Sequence, residues 1–359
     1  MTPASPTSPS PTSPGHQHAV IYTHTGDESV LQLVERPITE PGPGEVRVRV
    51  VRSGVNPTDW KSRRGTKPGE PLHFDEVVPN QDGAGVVDAV GPGVEGLNGG
   101  DRVWLYLAAY RRPTGTAQQF AVLPATRVVP LPEQASFEEG ASMGVPAMTA
   151  HRALTVADGG PDHLSPGALT GRTVLVAGGA GAVGHAAIQL ARWAGATVIT
   201  TISSPEKAAL ATAAGAHHTV NYRESDPAAA IRSLAPHGVD MVVEVALAPN
   251  MELDLAVIRR GATIASYAND GGDTLALEIF PHMVANTRLQ FILLYTVGQE
   301  ALDAAAQDVS AALADGALAV GQEHGLPLAR FPLSDTAQAH AAVESGTVGK
   351  VLIDVDPGV

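Results

Sequence analysis

Cysteine is absent from the whole chain of 359 residues. This absence excludes a disulfide framework and any zinc site that is built from thiolates. It also leaves the redox compartment of the protein open, because the chain has neither disulfides to form nor thiols to keep reduced.

Basic side chains and long apolar runs are both scarce. Lys and Arg number 23 against 37 Asp and Glu, which gives a formal net charge of −14 at pH 7. This charge opposes binding to a phosphate backbone, so we expect no nucleic-acid partner. The longest apolar stretches, such as residues 289–297, are much shorter than the ~20 residues that a membrane span needs, so we expect no membrane partner.

The first 17 residues have almost no apolar side chains and repeat the pattern Ser-Pro-Thr-Ser-Pro. Such a composition predicts a disordered tail. The tail lacks the apolar segment of a secretory signal, and we therefore expect a cytoplasmic protein.

The rest of the chain is strongly patterned, and 44% hydrophobic residues indicate a globular protein with real cores. Residues 18–150 alternate short β-rich runs with Gly and Pro turns and predict a compact β domain. Residues 151–299 alternate strands with helices, which is typical of a doubly wound parallel sheet. In residues 300–359 an Ala-rich helix, a Gly/Pro segment and a closing strand at 351–355 break that rhythm, and we expect this segment to rejoin the β domain.

A glycine-rich turn is the most specific local motif. Residues 174–184 read Val-Leu-Val-Ala-Gly-Gly-Ala-Gly-Ala-Val-Gly, and Gly179, Gly181 and Gly184 give the spacing G-x-G-x-x-G. A pyrophosphate can approach a backbone only where side chains are absent, and the amides of a helix N-terminus then bind it. Because an apolar strand precedes the turn and a second strand follows at 197–202, the motif predicts a dinucleotide site rather than a flexible loop.

The end of that second strand indicates which dinucleotide binds. An NAD site usually places a carboxylate there to bind the ribose 2′-hydroxyl, whereas here Ser203, Ser204 and Lys207 follow the strand. The third strand ends at Tyr222 and Arg223, which we expect at the same edge of the sheet. The pattern favours NADPH over NADH. The alternative interpretation is that Ser204 caps a helix and Lys207 is a solvated lysine.

Further motifs are spread over the chain from about residue 18 onward. They are Gly54-Val55-Asn56-Pro57, Asp-Gly-Ala-Gly-Val-Val at 82–87, Gly-Asp-Arg-Val at 100–103, Gly-Val-Pro at 144–146, Asn-Tyr-Arg-Glu at 221–224 and Gly-Lys-Val at 349–351. With these motifs the chain resembles the zinc-independent members of the medium-chain dehydrogenase/reductase superfamily, and it is most similar to quinone oxidoreductases of the zeta-crystallin type. The resemblance implies an α/β protein with a GroES-like β domain and a Rossmann doubly wound parallel-sheet domain, which hold NADPH and substrate in a cleft.

The resemblance also locates the positions where related enzymes bind zinc. In zinc alcohol dehydrogenases of this superfamily two cysteines and a histidine hold the metal, and the corresponding residues here are Asn56, Gln81 and Gly144. These three residues are not a zinc-ligand set. We therefore expect no zinc and no other metal.

Without a metal, the expected chemistry is reduction of an acceptor that is already electrophilic. A quinone, or an alkene conjugated to a carbonyl, accepts a hydride from nicotinamide and then needs a proton and stabilisation of the developing oxyanion. By the resemblance, Asn56, Trp60 and Lys61 lie beside the nicotinamide. Asn56 is the expected amide donor and Trp60 the aromatic wall for a planar acceptor. The sequence therefore predicts an NADPH-dependent oxidoreductase of the quinone reductase type.

Lys61 departs from the zeta-crystallin pattern, which usually has tyrosine there. A partly desolvated lysine can protonate an enolate or attract an acidic group. The alternative function is therefore an NADPH-dependent enoyl reductase for a thioester or enone, partnered with a carrier protein that would dock on Lys61, Arg63, Arg64 and Lys67. The same lysine is equally compatible with a solvated surface. A non-enzymatic crystallin or RNA-binding role is disfavoured by the negative charge and by the intact glycine turn.

The resemblance implies further cofactor contacts and a homodimer, with a tetramer as the alternative. The expected contacts are Val145, Thr149, Ala180, Gly181, Ala182, Val183, Leu247, Tyr267, Ala268, Asn269, Phe291, Ile292, Leu293 and Lys350. The run 289–295 is also what any buried strand looks like. In this superfamily that strand commonly pairs with its twofold mate.

Overall fold

A computed structural model describes residues 15–356 of the chain. These residues form two compact units. Of the described residues, the first unit contains 15–128, 330–347 and 351–356, and the second contains 129–329 and 348–350. Residues 1–14 of the predicted tail lie outside the described part. The last residues of that predicted tail are folded, because a strand begins at His16.

Strands are the predominant regular elements of residues 15–130. The elements of this stretch are β1 (His16–Ile21), β2 (Gln32–Pro37), β3 (Glu45–Val55), α1 (Pro57–Arg64), β4 (Asp82–Val90), β5 (Arg102–Leu105), β6 (Phe120–Pro124) and β7 (Val128–Pro130). In β3, Val46, Val48 and Val50 alternate with Arg47 and Arg49, so that one face of the strand is apolar. The three valines are fully buried, whereas both arginines are partly exposed.

From residue 137 onward helices and strands alternate. The elements are α2 (Phe137–Leu154), β8 (Thr173–Ala177), α3 (Ala182–Trp193), β9 (Thr197–Ile202), α4 (Pro205–Ala213), β10 (His218–Asn221), α5 (Pro227–Leu234), β11 (Val239–Glu244), α6 (Leu247–Val257), β12 (Ile258–Ser266), α7 (Ile279–Ala285), β13 (Arg288–Phe291), α8 (Gln299–Ala314), β14 (Leu328–Pro332), α9 (Thr336–Glu344) and β15 (Lys350–Asp354). Single 3-10 turns supplement them at Glu28–Val30, Ala125–Arg127, Leu294–Thr296, Gln322–His324 and Leu333–Asp335.

The first unit is organised around a seven-stranded sheet. Six of its strands follow the order β14-β15-β3-β4-β5-β7, and β6 pairs with β3. β3 runs antiparallel to β4, β6 and β15, while β1 and β2 form a separate antiparallel pair. Inward-facing side chains such as Val48, Val103 and Leu123 form the core beneath this sheet.

The second unit contains a six-stranded sheet with the order β10-β9-β8-β11-β12-β13. Neighbouring strands are parallel along the whole sheet. The central strands β8 and β11 are nearly continuous runs of buried residues, because helices cover a parallel sheet. This order is the doubly wound arrangement that the alternating pattern predicts, and its strand order reverses between β8 and β11.

The boundaries between the two units lie at other residues than the sequence predicts. The sequence places boundaries at 150 and 299, whereas the structure divides the chain at 128 and 330. The physical reason is that α2 packs against α3 and α8, so both α2 and α8 belong to the unit with the parallel sheet. Only the segment that begins within β14 returns to the antiparallel sheet. There β15 pairs with β3.

Within residues 15–356, none of the helices combines the length and the apolar composition that a membrane-spanning helix needs.

Candidate functional site

The glycine-rich turn lies between β8 and α3, at the carboxyl edge of the parallel sheet. Gly178 adopts a φ of +68°, which favours glycine, and Gly181 is the N-cap of α3. A Cβ on Gly184 would overlap the carbonyl oxygen of Gly178 and lie 3.0 Å from the Cα of Gly179. A Cβ on Gly179 would lie 2.8 Å from Cδ1 of Ile188. Glycine at 179 and 184 therefore allows the turn and the helix to pack closely.

At Gly181, unlike Gly179 and Gly184, close packing does not explain the absence of a side chain. A Cβ there would meet only the oxygen of Gly178, at 3.5 Å, so the space beside this residue is open. The first turn of α3, beginning with Ala182 and Val183, contains no acidic residue, and its amides have no partner inside the helix. The turn therefore fits a pyrophosphate that approaches the backbone at Gly181, as the sequence predicts.

The residues predicted to read the adenosine end meet at the tips of β9 and β10. The two strands are paired, with Asn221 opposite Ile202. The backbone N–H of Tyr222 donates to the carbonyl of Ile202 at 3.2 Å, which brings the exposed Tyr222 next to Ser203. Lys207 stands on the first turn of α4, which begins directly after Ser204. Ser203, Ser204, Lys207 and Tyr222 therefore share one edge of the second unit.

The structure also shows what these residues already do. Ser204 is the N-cap of α4, and its Oγ accepts from the N–H of Lys207 at 3.3 Å. The alternative interpretation of Ser204 as a helix cap is therefore correct. A hydrogen bond from the Ser204 side chain lowers the pKa of the exposed Glu206. A carboxylate thus stands at this edge, and the sequence analysis gave it no role.

A cavity of about 530 Å³ opens at the carboxyl ends of β12 and β13. Its lining contains seven residues that were predicted to contact the cofactor, namely Leu247, Tyr267, Ala268, Asn269, Phe291, Ile292 and Leu293. β13 ends at Phe291, where the N–H of Ile292 donates to the carbonyl of Ser266 at 2.8 Å. Phe291 is 68% exposed and Leu293 is 55% exposed. The run is therefore a strand as far as Phe291, with Ile292 and Leu294 buried after it, while the side chains of Phe291 and Leu293 are exposed.

Two buried carboxyl groups that the sequence analysis missed lie behind this cavity. Glu244 ends β11 and accepts from the N–H of Ala246 at 2.5 Å and from Nδ2 of Asn250 at 3.1 Å. Burial raises the pKa of Asp254 well above its ordinary value, and the neighbouring Glu244 adds to that effect. Burial also raises the pKa of Glu244, so both carboxyl groups of this pair are easier to protonate than exposed ones. The backbone carbonyl of Glu244 accepts from the N–H of Tyr267 at 3.1 Å, so Glu244 contacts the segments at 246–250 and at 267, and residues of both segments line the cavity.

The remaining predicted cofactor residues are less closely grouped. Val145 and Thr149 are buried four residues apart on the same face of α2. Ala180 is buried in the glycine turn. Lys350 is buried at the start of β15, where its backbone N–H donates to the carbonyl of Pro327 at 2.9 Å.

In the first unit, Asn56 is the N-cap of α1 and is buried. Its backbone N–H donates to Asp59 Oδ2 at 2.7 Å, and its side-chain Nδ2 donates to Asp82 Oδ2 at 2.7 Å. Trp60 and the exposed Lys61 follow on the same helix, and the Lys61 ammonium lies 5.8 Å from the centre of the Trp60 ring. Asn56 thus donates to two different carboxylates, to one through its backbone and to the other through its side chain.

The basic patch predicted from Lys61, Arg63, Arg64 and Lys67 is not assembled as expected. Arg63 is fully buried and its Nη2 lies 2.6 Å from Glu344 Oε2. Arg64 pairs with the other carboxylate oxygen of Glu344 at 2.8 Å. The reason is that α1 packs on α9, which supplies this carboxylate to both arginines. Lys61, Arg64 and Lys67 are exposed, although Arg64 is paired with Glu344.

The predicted zinc positions hold no ligand set, and across residues 15–356 no group of three or more His, Cys, Asp or Glu side chains is arranged to hold a metal ion. Asn56 and Gln81 are buried in the first unit, and Gln81 donates its backbone N–H to Asp59 Oδ1 at 3.1 Å. Gly144 lies inside α2 of the second unit. The expectation of a zinc-free site stays a prediction.

Two protein families match this chain. The alcohol dehydrogenase GroES-like domain family matches residues 42–133, and the zinc-binding dehydrogenase family matches residues 182–311. The chain is 31% identical to the quinone oxidoreductase of Rattus norvegicus over 340 residues, which cover 91% of this chain and 94% of that protein. It is 29% identical to a 2-haloacrylate reductase of Burkholderia sp over 341 residues, which cover 93% and 98% of the two chains.

Solved structures agree with these matches. The crystal structure of Escherichia coli quinone oxidoreductase complexed with NADPH superposes on this chain with a TM-score of 0.76 at 26% identity, covering 94% of this chain and 99% of that one. The predicted fold class, a GroES-like β domain with a Rossmann doubly wound parallel-sheet domain, is therefore confirmed.

Proposed function

This chain belongs to the zeta-crystallin-like quinone oxidoreductase family of the medium-chain dehydrogenase/reductase superfamily, and from that membership we propose that it is an NADPH-dependent quinone oxidoreductase. The observation that carries the proposal is the pairing of an open glycine turn at Gly181 with the cavity at the ends of β12 and β13. Both features lie at the carboxyl edge of one parallel sheet, where this fold binds dinucleotides.

The cofactor assignment rests on the residues at that edge. The amides of the first α3 turn would bind the pyrophosphate, and Lys207 with Ser203 and Tyr222 would bind the 2′-phosphate. Leu247, Asn269 and their neighbours in the cavity wall would bind the nicotinamide end. NADPH, when bound, supplies the hydride. Glu206 opposes a 2′-phosphate by like charge, so we propose a preference for NADPH that is moderate rather than absolute.

The acceptor is a small molecule, and the proposed roles of the first-unit residues follow from their chemistry. Asn56 donates its amide N–H to the acceptor oxygen, which gains negative charge during reduction. Trp60 packs against the flat face of the acceptor. A proton reaches the reduced oxygen from water or from the Lys61 ammonium. No Lewis acid is required, since a quinone is already electrophilic.

Zinc independence is part of this proposal, although one matching family is described as zinc-binding. The whole chain has no cysteine, and Asn56, Gln81 and Gly144 stand at the expected ligand positions. Amide oxygens and a glycine are poor zinc ligands compared with thiolate and imidazole. We also place the protein in the cytoplasm as part of the same proposal.

A homodimer is the proposed assembly. β13 is the edge strand of the parallel sheet, and a second copy can pair with it across a twofold axis. Next to this edge, α7 exposes Ile279, Phe280 and Met283, which are between 64% and 73% accessible. Such an apolar surface is typical of an interface.

A second function is supported by the 2-haloacrylate reductase, because that relative's substrate is an alkene conjugated to a carboxyl group. In this reading the chain is an NADPH-dependent enoyl reductase, and Lys61 protonates or attracts an acidic acceptor. The burial of Arg63 and the pairing of Arg64 weaken the case for a carrier-protein patch.

The test measures NADPH oxidation by the purified protein with an ortho-quinone and, separately, with a short enoyl thioester. We expect quinone turnover that survives Lys61→Ala. If the protein instead turns over the thioester and loses this activity in Lys61→Ala, the enoyl reductase function replaces the quinone oxidoreductase function. Lys67→Ala is the control, because it removes another exposed lysine of the same unit.

A further inference from the structure

The buried carboxyl group of Glu244 lies behind the cavity at the ends of β12 and β13, and the proposed function gives it no role. Glu244 is the last residue of β11. We propose that Glu244 is a positioning residue, which holds the wall of this cavity in the arrangement that binds the nicotinamide end of NADPH. This inference rests on the proposed function, because it requires the nicotinamide end to enter the cavity.

The main chain at and after Glu244 is paired with the segment that follows β12. The N–H of Tyr267 donates to the carbonyl of Glu244 at 3.1 Å, and the N–H of Asp270 donates to the carbonyl of Val245 at 3.2 Å. Ala246 and Asn269 form an antiparallel bridge between the same two segments. These bonds use backbone atoms alone, so they join the two segments whatever side chain stands at 244.

The side chain of Glu244 adds a link to the helix α6. The N-cap of this helix is Ala246, whose side chain has no oxygen to cap the helix. Glu244 Oε1 accepts instead from the N–H of Ala246 and from Nδ2 of Asn250, which lies in the first helical turn. Leu247 and Ala248 of that turn line the cavity. The carboxyl group of Glu244 therefore fixes the part of α6 that forms the cavity wall.

Asp254 gives Glu244 another contact with α6. It lies four residues after Asn250, on the same face of the helix, and it is buried. Its Oδ2 receives no hydrogen bond from an N–H or hydroxyl group of residues 15–356, whereas its carboxyl group is hydrogen-bonded to that of Glu244. Such a bond needs a proton on one of the two groups, and burial, which raises the pKa of both, favours that proton.

The experiment measures two dissociation constants by calorimetry for Glu244→Ala and Glu244→Gln. The ligands are NADPH and adenosine 2′,5′-bisphosphate, which carries the 2′-phosphate but no nicotinamide. We expect Glu244→Ala to raise the constant for NADPH about tenfold, as if the wall were in place in about a tenth of the molecules. The constant for the bisphosphate should stay unchanged, because its proposed contacts lie at the tips of β9 and β10.

Glu244→Gln should restore NADPH binding to within about twofold of wild type, because an amide oxygen can accept from the same two N–H donors. A loss of NADPH binding that is as large in Glu244→Gln as in Glu244→Ala overturns the inference, since the accepted hydrogen bonds would then not be what holds the wall.

A matched control is available on the same strand. Asp240 lies near the other end of β11, where its carboxylate accepts from the N–H of Thr173 at 2.8 Å, from Arg172 Nη1 at 3.0 Å and from Arg259 Nε at 2.6 Å. Asp240→Ala removes a carboxylate that has no link to the cavity wall described above. We expect this variant to have a lower melting temperature and unchanged constants for both ligands.

The comparison of the two ligands decides between positioning and general damage. An unchanged constant for NADPH in folded Glu244→Ala overturns the inference, and so does an equal increase for both ligands. If Glu244→Ala does not fold, Asn250→Ala removes one of the two donors from a half-buried position and should raise the constant for NADPH alone, by about threefold. An unchanged constant in that variant has the same meaning. If wild type does not bind NADPH, the proposed function fails and this inference fails with it.

Discussion

Ser204 Oγ accepts a hydrogen bond from the backbone N–H of Lys207 at 3.3 Å, so the residue that follows β9 also fixes the start of the helix that carries the lysine. The cap holds the Lys207 backbone next to the strand tip without using its ammonium group. Under the proposed function, cofactor choice at this edge would depend on two side chains of opposite charge in the first turn of α4, Lys207 and Glu206.

Lys207→Ala should raise KM for NADPH about tenfold and leave KM for NADH unchanged, because only NADPH carries the 2′-phosphate that the ammonium would bind. Initial rates with each cofactor at saturating quinone measure this. Lys67→Ala should change neither constant. Equal increases for both cofactors would contradict the assignment of Lys207 to the 2′-phosphate.

Glu206→Gln should act in the opposite direction. It removes a carboxylate that receives a hydrogen bond from Ser204, and with it the repulsion of a 2′-phosphate. We expect KM for NADPH to fall about threefold while KM for NADH stays the same or rises. Raising the salt concentration should shrink the difference between wild type and variant. A fall in KM for NADH alone would show that Glu206 does not face the phosphate.

Two glycine variants in the turn should fail in different ways. Gly184→Ala places a Cβ against the oxygen of Gly178 and 3.0 Å from Gly179 Cα, so we expect a loss of stability of about 1–3 kcal/mol. Gly181→Ala meets only one atom at 3.5 Å, so the fold should survive while the dissociation constant for NADPH rises at least about tenfold. Thermal unfolding and a fluorescence titration with NADPH separate the two. If a folded Gly181→Ala variant binds NADPH normally, the turn is not part of the cofactor site.

Buried histidines should make the protein less stable in acid. Burial lowers the pKa of His340 to about 3 and the pKa of His185 to about 4, against about 6.5 in an unfolded chain. The unfolded state therefore takes up more protons as the pH falls below about 6.5, and the stability that is complete above that pH is progressively lost. For His340 the loss between pH 6.5 and pH 5 is on the order of 2 kcal/mol.

Urea unfolding across this pH range tests that expectation. His340→Gln keeps an N–H that can donate to Asn80 but does not titrate, and it should flatten the pH dependence. His24→Gln, at an exposed position, is the control and should leave the slope unchanged. Identical slopes for wild type and His340→Gln would show that His340 is not the group responsible.

The proposed dimer should depend on the apolar surface of α7. Phe280 is 73% exposed, so Phe280→Glu should not disturb the fold of one copy. In the proposed interface, however, the new carboxylate would lose its water, which should destabilise the dimer. We expect sedimentation to show a monomer for this variant and a dimer for wild type. Leu33→Glu, on the exposed face of β2, should leave the dimer intact. A dimeric Phe280→Glu would place the interface elsewhere.

Sequence reasoning located structural features that depend on a few neighbouring residues. The turn at Gly179 to Gly184 and the strand tips at 267–269 and 291–293 follow from local pattern and from the resemblance, and the structure brings the two strand tips into one cavity. Parallel strands end at one edge, so residues after different strands converge without any further information.

The same reasoning missed groups whose partners are set by tertiary packing. Glu244 and Asp254 are buried together because α6 folds back over the end of β11. Arg63 looks like a surface residue in sequence, yet it is buried because α9 supplies Glu344 from a position 281 residues later. Neither pair can be recognised from the periodicity or the spacing of residues in the sequence. A carboxylate that directly follows an apolar strand, as Glu244 does, is the one local hint.

The position of β15 between β14 and β3 has a consequence for biosynthesis. A ribosome makes β3 long before β15, yet the two strands are neighbours inside the same sheet, with Val351 opposite Val55. The first unit therefore cannot complete its sheet until β15 has been made, whereas the strands of the parallel sheet lie in one continuous stretch of the chain that can fold before β15 is made. During that interval the edge of β3 is open to pairing with other chains.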